Sequence, residues 1–299
     1  MAIPTETVYG LAGNALSTDA VTKIFEVKNR PFFDPLIVHV SSWNQVPRYA
    51  SDIPEKAVLL ADRFWPGPLT LLLPKKEIIP DLVTAGLDRV GLRCPNHSLT
   101  LNLLNQLDFP LAAPSANPFG YVSPTTAQHV QDQLGEKISC ILDGGPCEVG
   151  IESTVVGWEN NQAVLYRLGG ISIEEIESVI GKVTVLPHST SQPQAPGQLK
   201  SHYAPKKEFV LGDLKALADQ HKSKRLGVLA FQKKIEKVHE KSQLLLSPSG
   251  NLREAAQNLF SALRQFDLMD VEVVIAEEVP NEGLGRAIND RLRRAAATS

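Results

Sequence analysis

Two segments near the start of the chain combine residue types that could bind small anions and polar ligands. Residues 4–11 read Pro-Thr-Glu-Thr-Val-Tyr-Gly-Leu, so two threonine hydroxyls flank one carboxylate ahead of a glycine. In Lys28-Asn29-Arg30-Pro31, two cations are separated by one residue and followed by a proline. Such cations can hold a phosphate chain. An ordinary turn and a solvated basic loop are the alternative interpretations of the two segments.

Polar residues in or beside apolar, strand-like segments form a second group of candidates. Asp34 leads into residues 35–40, where His39 stands among apolar neighbours, and Arg93 ends residues 90–93. Strand ends in open α/β sheets face the ligand crevice, so Arg93 is a candidate for binding an anion. A surface ion pair would also account for Arg93, and a histidine satisfied within the core would account for His39.

Small residues mark three further segments where the backbone could approach a ligand closely. They are Ala-Ala-Pro-Ser-Ala-Asn at 112–117, followed by Gly120 and Ser123; Asp-Gly-Gly-Pro at 143–146, followed by 150–156; and Leu-Tyr-Arg-Leu-Gly-Gly at 165–170. Ser123 or Thr125 could cap the next helix, whose N-terminus would favour anions. Each segment, taken singly, could instead be a turn.

Several familiar catalytic patterns are absent from the sequence. There is no Gly-x-x-x-x-Gly-Lys-Ser/Thr run of a P-loop enzyme, no His/Cys cluster with zinc spacing and no Gly-x-Ser-x-Gly. Gly283-Leu284-Gly285 lacks the third glycine of a dinucleotide fingerprint. The sequence therefore argues against P-loop, zinc-dependent and triad chemistry.

Strand-length apolar runs alternate with helical patterns up to about residue 185. Strands are predicted at 35–40, 69–73, 90–93, 140–143, 153–156 and 163–167, and helices at 55–64, 98–107 and 125–134. Ser172 and Glu175 form a capping box for another helix. This mixture predicts an α/β layered domain.

A stretch rich in Ser, Thr, Gln and Pro at residues 188–197 interrupts the alternation and has a linker composition. Beyond it, strands are predicted at 209–211, 226–231, 244–246 and 271–276, with helices ending near 219 and at 252–266 and 284–297. This order predicts a small doubly wound α/β domain. We therefore expect a first domain at 1–186, a linker at 187–207 and a Rossmann-like domain at 208–299.

Length and charge narrow the functional classes. The 299 residues are 43% hydrophobic, which is enough for a substantial core. Residues 1–205 hold 14 Lys and Arg against 20 Asp and Glu, a net charge of −6, and residues 206–299 hold 16 against 13, a net charge of +3. Neither part has the basic excess of a general nucleic-acid binder.

The sequence also bears on the compartment. It has no apolar run long enough to cross a bilayer and no secretory pattern at its start. Its three cysteines form no Cys-x-x-Cys pair, and an odd number argues against a disulfide framework. We therefore expect a cytoplasmic protein with no membrane partner.

Taken together and in this order, the segments resemble the YrdC/YwlC family of threonylcarbamoyl-AMP synthases. The resemblance rests on the combination of Pro-Thr-Glu-Thr-Val-Tyr-Gly-Leu, Lys-x-Arg-Pro, Ala-Pro-Ser-Ala-Asn and Glu-Ser-Thr-Val. It covers essentially the whole chain, and His-Tyr-Ala-Pro at 202–205 is similar to the long, two-domain branch. It implies an α/β fold with a twisted mixed sheet around a large electropositive cavity, followed by the small doubly wound domain. Family members carry a helix and most of a strand before residue 4. The strand would lie in the sheet and the helix would cover it, so we expect both to be missing here.

The resemblance also implies a reaction, in which ATP, L-threonine and bicarbonate give threonylcarbamoyl-AMP, pyrophosphate and water. Magnesium would accompany the ATP phosphates, and no metal site on the protein is expected. A tRNA-modifying threonylcarbamoyl transferase would then use the product, so tRNA would be an indirect partner. No protein nucleophile is needed, and catalysis would come from positioning and charge stabilisation.

The family's functional positions carry over to twelve residues of this chain. The threonine-site residues would be Thr7, His39, Arg93 and Ser153. The ATP-site residues would be Arg30, Asp34, Ala113, Ser115, Ser123, Arg167 and Tyr203, with Lys28 close by and with Lys28 and Arg30 as the catalytic cations. Asp34 stands where a polar, uncharged residue is expected. Tyr203 would close over the nucleotide, within a lid formed by residues 187–207.

Three alternatives compete with this interpretation. A carbamoyltransferase of hydrogenase maturation contains a related domain, but its zinc-binding cysteine pairs and acylphosphatase-like part have no counterpart in this sequence. A non-catalytic module that binds structured RNA through the same cavity is the second. A generic α/β domain, with the motifs present by coincidence, is the third.

Overall fold

The computed structural model describes residues 1–186 and 203–297 of the chain. Within residues 1–186, a short antiparallel ladder lies beside one eight-stranded mixed sheet. The ladder pairs β1 (Ala2–Ile3) with β2 (Gly10–Leu11). The sheet contains β3 (Gly13–Asn14), β4 (Ile37–His39), β5 (Leu69–Pro74), β6 (Arg89–Arg93), β7 (Leu111–Ala112), β8 (Thr154–Glu159), β9 (Gln162–Arg167) and β10 (Thr184–Val185).

The strand order of this sheet brings distant parts of the chain together at one end of the strands. It runs β10-β9-β8-β5-β6-β4-β7-β3, with β4–β6, β5–β8 and β9–β10 parallel and the remaining pairs antiparallel. His39 pairs with Arg93 at the carboxyl ends of β4 and β6. Arg167 ends β9 opposite Val155, near the start of β8. The sheet therefore places the polar ends of four strands together.

Within residues 1–186, seven α-helices accompany the sheet, and two of them show side-chain caps that bear on the sequence predictions. Ser172 and Glu175 form the predicted capping box. Thr126, rather than the expected Ser123 or Thr125, caps the helix after the small-residue segment by accepting from a backbone N–H. The helices are α1 (Thr18–Lys28), α2 (Val46–Tyr49), α3 (Glu55–Phe64), α4 (Asp81–Thr84), α5 (Ser98–Gln106), α6 (Ala127–Leu134) and α7 (Ile173–Ile180), with 3₁₀ turns at Trp43–Gln45 and Gly135–Lys137.

The strand predicted at residues 140–143 is wrong. Ala2 alone pairs with this segment: its N–H donates to the Cys140 carbonyl, and its carbonyl accepts from Leu142 N–H. The pairing does not extend because the partner segment soon reaches Pro4, which has no N–H to donate. The apolar run is therefore a bridge beside the sheet.

The second domain is a parallel four-stranded sheet with helices on both faces, as predicted. Its strand order is β11-β14-β12-β13. Val273 and Ile275 pack with the first helix, whereas the alternating Val274 and Ala276 pack with the last two. The elements are β11 (Glu208–Leu211), α8 (Leu214–Gln220), β12 (Leu226–Ala230), a 3₁₀ turn (Glu240–Ser242), β13 (Gln243–Leu245), α9 (Leu252–Leu268), β14 (Val273–Ala276) and α10 (Gly285–Ala296).

The two domains share one apolar cluster. Val8, Val122 and Ile151 of the first domain belong to the same buried cluster as Tyr203 and Phe260. Because these three residues lie in the loops that carry the sequence motifs, α9 and α10 pack directly against the candidate site. No helix within residues 1–186 and 203–297 is long and apolar enough to cross a membrane.

Gly169 is expected to contribute to the stability of this region because its backbone is tightly packed. A Cβ there would overlap the backbone of Glu152, Ser153 and Thr154. Gly169→Ala should therefore lower the free energy of unfolding by about 1–3 kcal/mol, the usual range for overpacking a core, as measured by urea denaturation.

Gly212→Ala is the matched control, because its Cβ would meet only a flexible leucine end, Leu217 Cδ1, at 3.3 Å. Equal stability of the Gly169→Ala variant and the unaltered protein would contradict the tight backbone contact.

Candidate active site

One cavity beside these strand ends contains residues from every candidate segment of the sequence. Arginines 30, 93 and 167 line it and are 8%, 4% and 4% exposed. Three guanidinium groups around one cavity make a strong site for anions. The lining residues are Thr5, Thr7, Val8, Gly10, Arg30, Pro35, Ile37, His39, Arg93, Ala113, Pro114, Ser115, Glu152, Ser153, Arg167 and Tyr203.

A network of hydroxyl groups forms one wall. Thr5 Oγ1 lies 2.8 Å from Thr7 Oγ1 and donates to the Val8 carbonyl at 2.7 Å, which holds the loop of residues 4–9 in a turn. Ser153 Oγ lies 2.7 Å from Thr70 Oγ1 on the neighbouring strand β5. These contacts fix hydroxyl groups that can bond a polar ligand.

Arg93 is held by a buried carboxylate behind the cavity. Its Nη2 lies 2.8 Å from Glu6 Oε2, and the two side chains are 5% and 3% exposed. Glu6 therefore balances the charge of the guanidinium at close range. This pairing leaves Arg93 on the cavity wall, where it can meet a carboxylate ligand.

His39 is a neutral hydrogen-bonding group in the cavity. Burial, together with the nearby charge of Arg93, lowers its pKa from 6.5 to about 3. Its Nδ1 has no hydrogen-bond partner among the described residues. A neutral imidazole with one unused nitrogen can exchange a hydrogen bond with a ligand hydroxyl or amine.

Arg30 reaches the cavity because helix α1 ends sharply. Asn29 adopts a left-handed conformation with φ of 51° and terminates the helix. The Arg30 Nε then donates to the Asp34 carbonyl at 3.1 Å, and Nη2 donates to the Pro35 carbonyl at 2.9 Å. The same Nη2 lies 2.9 Å from Asp34 Oδ2. Burial of this group lowers the pKa of Arg30.

Arg167 and Ser153 form one unit. The arginine Nε donates to the Ser153 carbonyl, and Nη2 donates to its hydroxyl, both at 3.0 Å. Burial lowers the pKa of Arg167 to about 10, so it stays charged at neutral pH. A ligand that contacts Ser153 would therefore feel this guanidinium.

Tyr203 enters the cavity from the segment after the described first domain. It is 1% exposed, has a φ of 68°, and its N–H donates to the Gly120 carbonyl at 3.0 Å. Its ring stacks on Phe260 of α9 at 5.2 Å. Tyr203 thus contacts both domains and the cavity at once.

Nine of the twelve predicted site residues line the cavity, and three do not: Lys28, Asp34 and Ser123. Lys28 is fully buried, and its Nζ donates to the carbonyls of Ser115, at 2.5 Å, and Asn117. Burial and then Arg30 lower its pKa well below its usual value. The structure thus places Lys28 beneath the small-residue loop. A role for Lys28 in catalysis stays a prediction.

Sequence reasoning missed the carboxylates and one arginine that balance the site. Glu6 pairs with Arg93, and Glu152 lines the cavity while accepting from Ser123 Oγ at 2.7 Å. Arg291, 139 positions further along, approaches Glu152 from α10. Glu6 and Glu152 lie inside the quoted motifs, but no sequence pattern links Arg291 to them.

Comparison with known proteins agrees with this architecture. A family model for Sua5, YciO and YrdC, described as telomere recombination, matches residues 1–169. A second, described as threonylcarbamoyl-AMP synthase, C-terminal domain, matches residues 171–297.

Full-length relatives are similar over nearly the whole chain. The threonylcarbamoyl-AMP synthases of Pyrococcus abyssi and Bacillus subtilis are 43% and 42% identical; each alignment covers 99% of this chain and 89% of the relative. The crystal structure of P. abyssi Sua5 complexed with L-threonine is 42% identical, with a TM-score of 0.91, and the match covers 99% of this chain and 89% of that one.

The state of His39 predicts a pH dependence of stability. Its pKa is about 3 when folded and 6.5 as its ordinary value, so only the unfolded chain takes up a proton between these values. The contribution of the neutral His39 to the free energy of unfolding is complete above pH 6.5 and is lost as the pH falls. Relative to His39→Gln, the unaltered protein should lose about 1.4 kcal/mol more per pH unit between pH 5.5 and 4.

Denaturant unfolding at several pH values measures this difference, and His239→Gln, at an exposed position, is the control. Parallel pH profiles for His39→Gln and the unaltered protein would show that folding does not lower the pKa of His39.

Proposed function

We propose that this chain, which belongs to the Sua5/YciO/YrdC family, joins ATP, L-threonine and bicarbonate into threonylcarbamoyl-AMP. The observation that carries the proposal is the convergence of Arg30, Arg93 and Arg167 on one buried cavity lined with hydroxyl groups. ATP, bicarbonate and the threonine carboxylate are all anions, and such a cavity suits them.

The chemistry needs no nucleophile from the protein. The threonine amine attacks bicarbonate, and loss of water leaves a carbamate. A carbamate oxygen then attacks the α-phosphorus of ATP, the bond to the bridging oxygen breaks, and pyrophosphate leaves with the electron pair. The protein contributes by holding the anions close together and by stabilising the charge that develops on the phosphoryl oxygens.

The threonine end would lie beside Arg93, His39, Thr7 and Ser153. Arg93 would bind the carboxylate, and the neutral imidazole of His39 could bond the side-chain hydroxyl or the amine. The ATP end would lie beside Arg30, Ala113, Ser115 and Arg167, with Ser123 acting through Glu152. Asp34 would orient Arg30 through their ion pair rather than contact ATP itself.

The boundaries 1–186, 187–207 and 208–299 remain our proposal for the domains, with the middle segment as a lid. Residues 187–202 lie outside the described part of the chain. Tyr203, the first described residue after them, is buried at the cavity and stacked on Phe260. This contact with both domains supports a closing role, in which the lid excludes water from a hydrolysable adenylate.

Magnesium would enter with ATP. Among residues 1–186 and 203–297, no group of three or more His, Cys, Asp or Glu could hold a metal ion. The carboxylates nearest the site, Glu6, Asp34 and Glu152, are paired with arginines. The residues therefore do not fit a resident magnesium site, and the triphosphate itself would supply the oxygen ligands.

The product implies the remaining partners. A transferase that modifies tRNA would accept the threonylcarbamoyl group, and tRNA would not need to bind this chain. The buried position of the arginines favours a small-molecule substrate over direct binding of structured RNA, which requires exposed basic surface. We also propose a cytoplasmic location, which the sequence predicts.

Incubation with ATP, labelled bicarbonate and threonine should give labelled threonylcarbamoyl-AMP. Serine should be a poor but detectable substrate, and valine should be nearly inert because buried polar groups would lose their hydroxyl partner. Chromatography of the products measures all three reactions. Failure to form the threonine adduct would refute the function, and equal rates with valine would refute the hydroxyl-reading site.

Arg30→Ala should weaken ATP binding and turnover by roughly 10–100-fold, because a charge-assisted hydrogen bond contributes about 1.5–3 kcal/mol. Lys28→Ala should have a smaller effect. Because Arg30→Ala leaves the buried Asp34 carboxylate without this partner, the double variant Arg30→Ala/Asp34→Asn separates loss of the contact from added repulsion. Unchanged ATP affinity in both variants, measured by calorimetry, would exclude Arg30 from the phosphate site.

A further inference from the structure

The Glu152 carboxylate is held from both domains. On one side its Oε1 accepts from Ser123 Oγ at 2.7 Å. On the other, its Oε2 accepts from Arg291 Nη2 at 3.0 Å and from Nε at 3.3 Å. Glu152 lines the cavity, so an arginine of α10 reaches the site through this carboxylate.

Arg291 is built into the interface. Its side chain is 0% exposed. Its Nη1 donates to the Leu168 carbonyl of the first domain at 2.6 Å and to Asp290 Oδ2 at 3.1 Å. The guanidinium is therefore fixed in direction by both domains and cannot swing away without leaving buried polar groups unpaired.

Arg291 balances the negative charge that Glu152 brings to the cavity wall. A carboxylate on the wall of a cavity for triphosphate and bicarbonate repels its ligands unless a cation balances it. Arg167, whose charge also acts on Glu152, is already bonded to Ser153. Loss of Arg291 would therefore strengthen the repulsion between Glu152 and ATP, or draw Arg167 away from Ser153.

We propose that Arg291 is a positioning residue for the ATP site: the C-terminal domain uses it to neutralise and orient Glu152, and thereby Ser123. The proposal rests on the proposed function for the identity of the ligand. It gives the second domain a specific task, because the required cation comes from α10.

Two other arginines of the C-terminal helices also join the domains. Arg264 of α9 donates to the Val122 and Ser123 carbonyls at 2.5 and 3.3 Å. Arg286 of α10 pairs with Glu174 at 2.5 Å. These arginines contact the first domain without touching a side chain that lines the cavity, so Arg286 is the matched control on the same helix.

Calorimetric ATP binding and steady-state kinetics of the full chain test the proposal in four variants: Arg291→Met, Arg291→Lys, Arg291→Met/Glu152→Gln and Arg286→Met. Arg291→Met should raise the Kd and KM for ATP at least about 10-fold, as expected when one partner of a buried charge pair is removed. KM for threonine and kcat should change much less. Arg286→Met should bind ATP normally.

The double variant gives the decisive result. Glu152→Gln removes the negative charge that Arg291 balances, so it should restore most of the ATP affinity that Arg291→Met loses. No recovery, or an equal loss in Arg286→Met, would overturn the proposal in favour of a purely structural contact. If Arg291→Met does not fold, Arg291→Lys carries the test: it keeps the charge but not the two-nitrogen contact, and unchanged ATP affinity would refute positioning.

ATP binding is measured without threonine, so it is independent of adenylate formation. A chain that binds ATP but forms no threonylcarbamoyl-AMP would refute the proposed function, and the Arg291 comparison would still stand.

Discussion

The burial of several arginines around one cavity is the constraint on which the rest of the structure depends. A guanidinium removed from water is costly unless its charge and its donors are matched. The arginines of the site are compensated locally: Asp34 pairs with Arg30, Glu6 pairs with Arg93, and Ser153 accepts two hydrogen bonds from Arg167. Asp34 and Glu6 do not line the cavity, whereas the three arginines do.

Strand pairing in the mixed sheet places the charged residues of the site. Parallel pairing of β4 with β6 puts His39 beside Arg93. The antiparallel return of β9 against β8 brings Arg167 back to Ser153. The hydrogen bonds between the strands fix their register. A shift of this register by one residue would turn each of these side chains to the opposite face of the sheet. The sheet therefore sets the positions of His39, Arg93 and Arg167.

The second domain packs against the loops that surround the cavity. Its helices share an apolar cluster with the motif loops, and Tyr203 lies between Phe260 and the cationic groups of Arg291 and Arg294, 5.6 and 4.8 Å from its ring centre. Packing of this kind ties the position of the Rossmann-like domain to the loops around the cavity. A small-molecule site between two domains is a common solution, since the ligand can be enclosed after it binds.

Local patterns in the amino-acid sequence predicted the α/β fold class and the order of the two domains, as at the capping box of Ser172 and in the alternation of the C-terminal strands. The segments of the candidate site were predicted only from their combination, because each of them taken singly could be a turn. The sequence did not show that residues 140–143 fail to form a strand, because that depends on a partner segment that soon reaches Pro4. Nor did it show that Lys28 lies beneath the loop at Ser115 rather than on the cavity wall.

Which charged residues pair with one another depends on strand order and domain packing. Arg93 pairs with Glu6, and Glu152 pairs with Arg291, which lies 139 positions further along the chain. Pairs of this separation leave no periodicity or spacing in the sequence, because they are formed by strand order and domain packing rather than by neighbours along the chain. The sequence thus pointed to Arg30, Arg93 and Arg167, which line the cavity, whereas the fold shows that Glu6, Glu152 and Arg291 pair in and beside it.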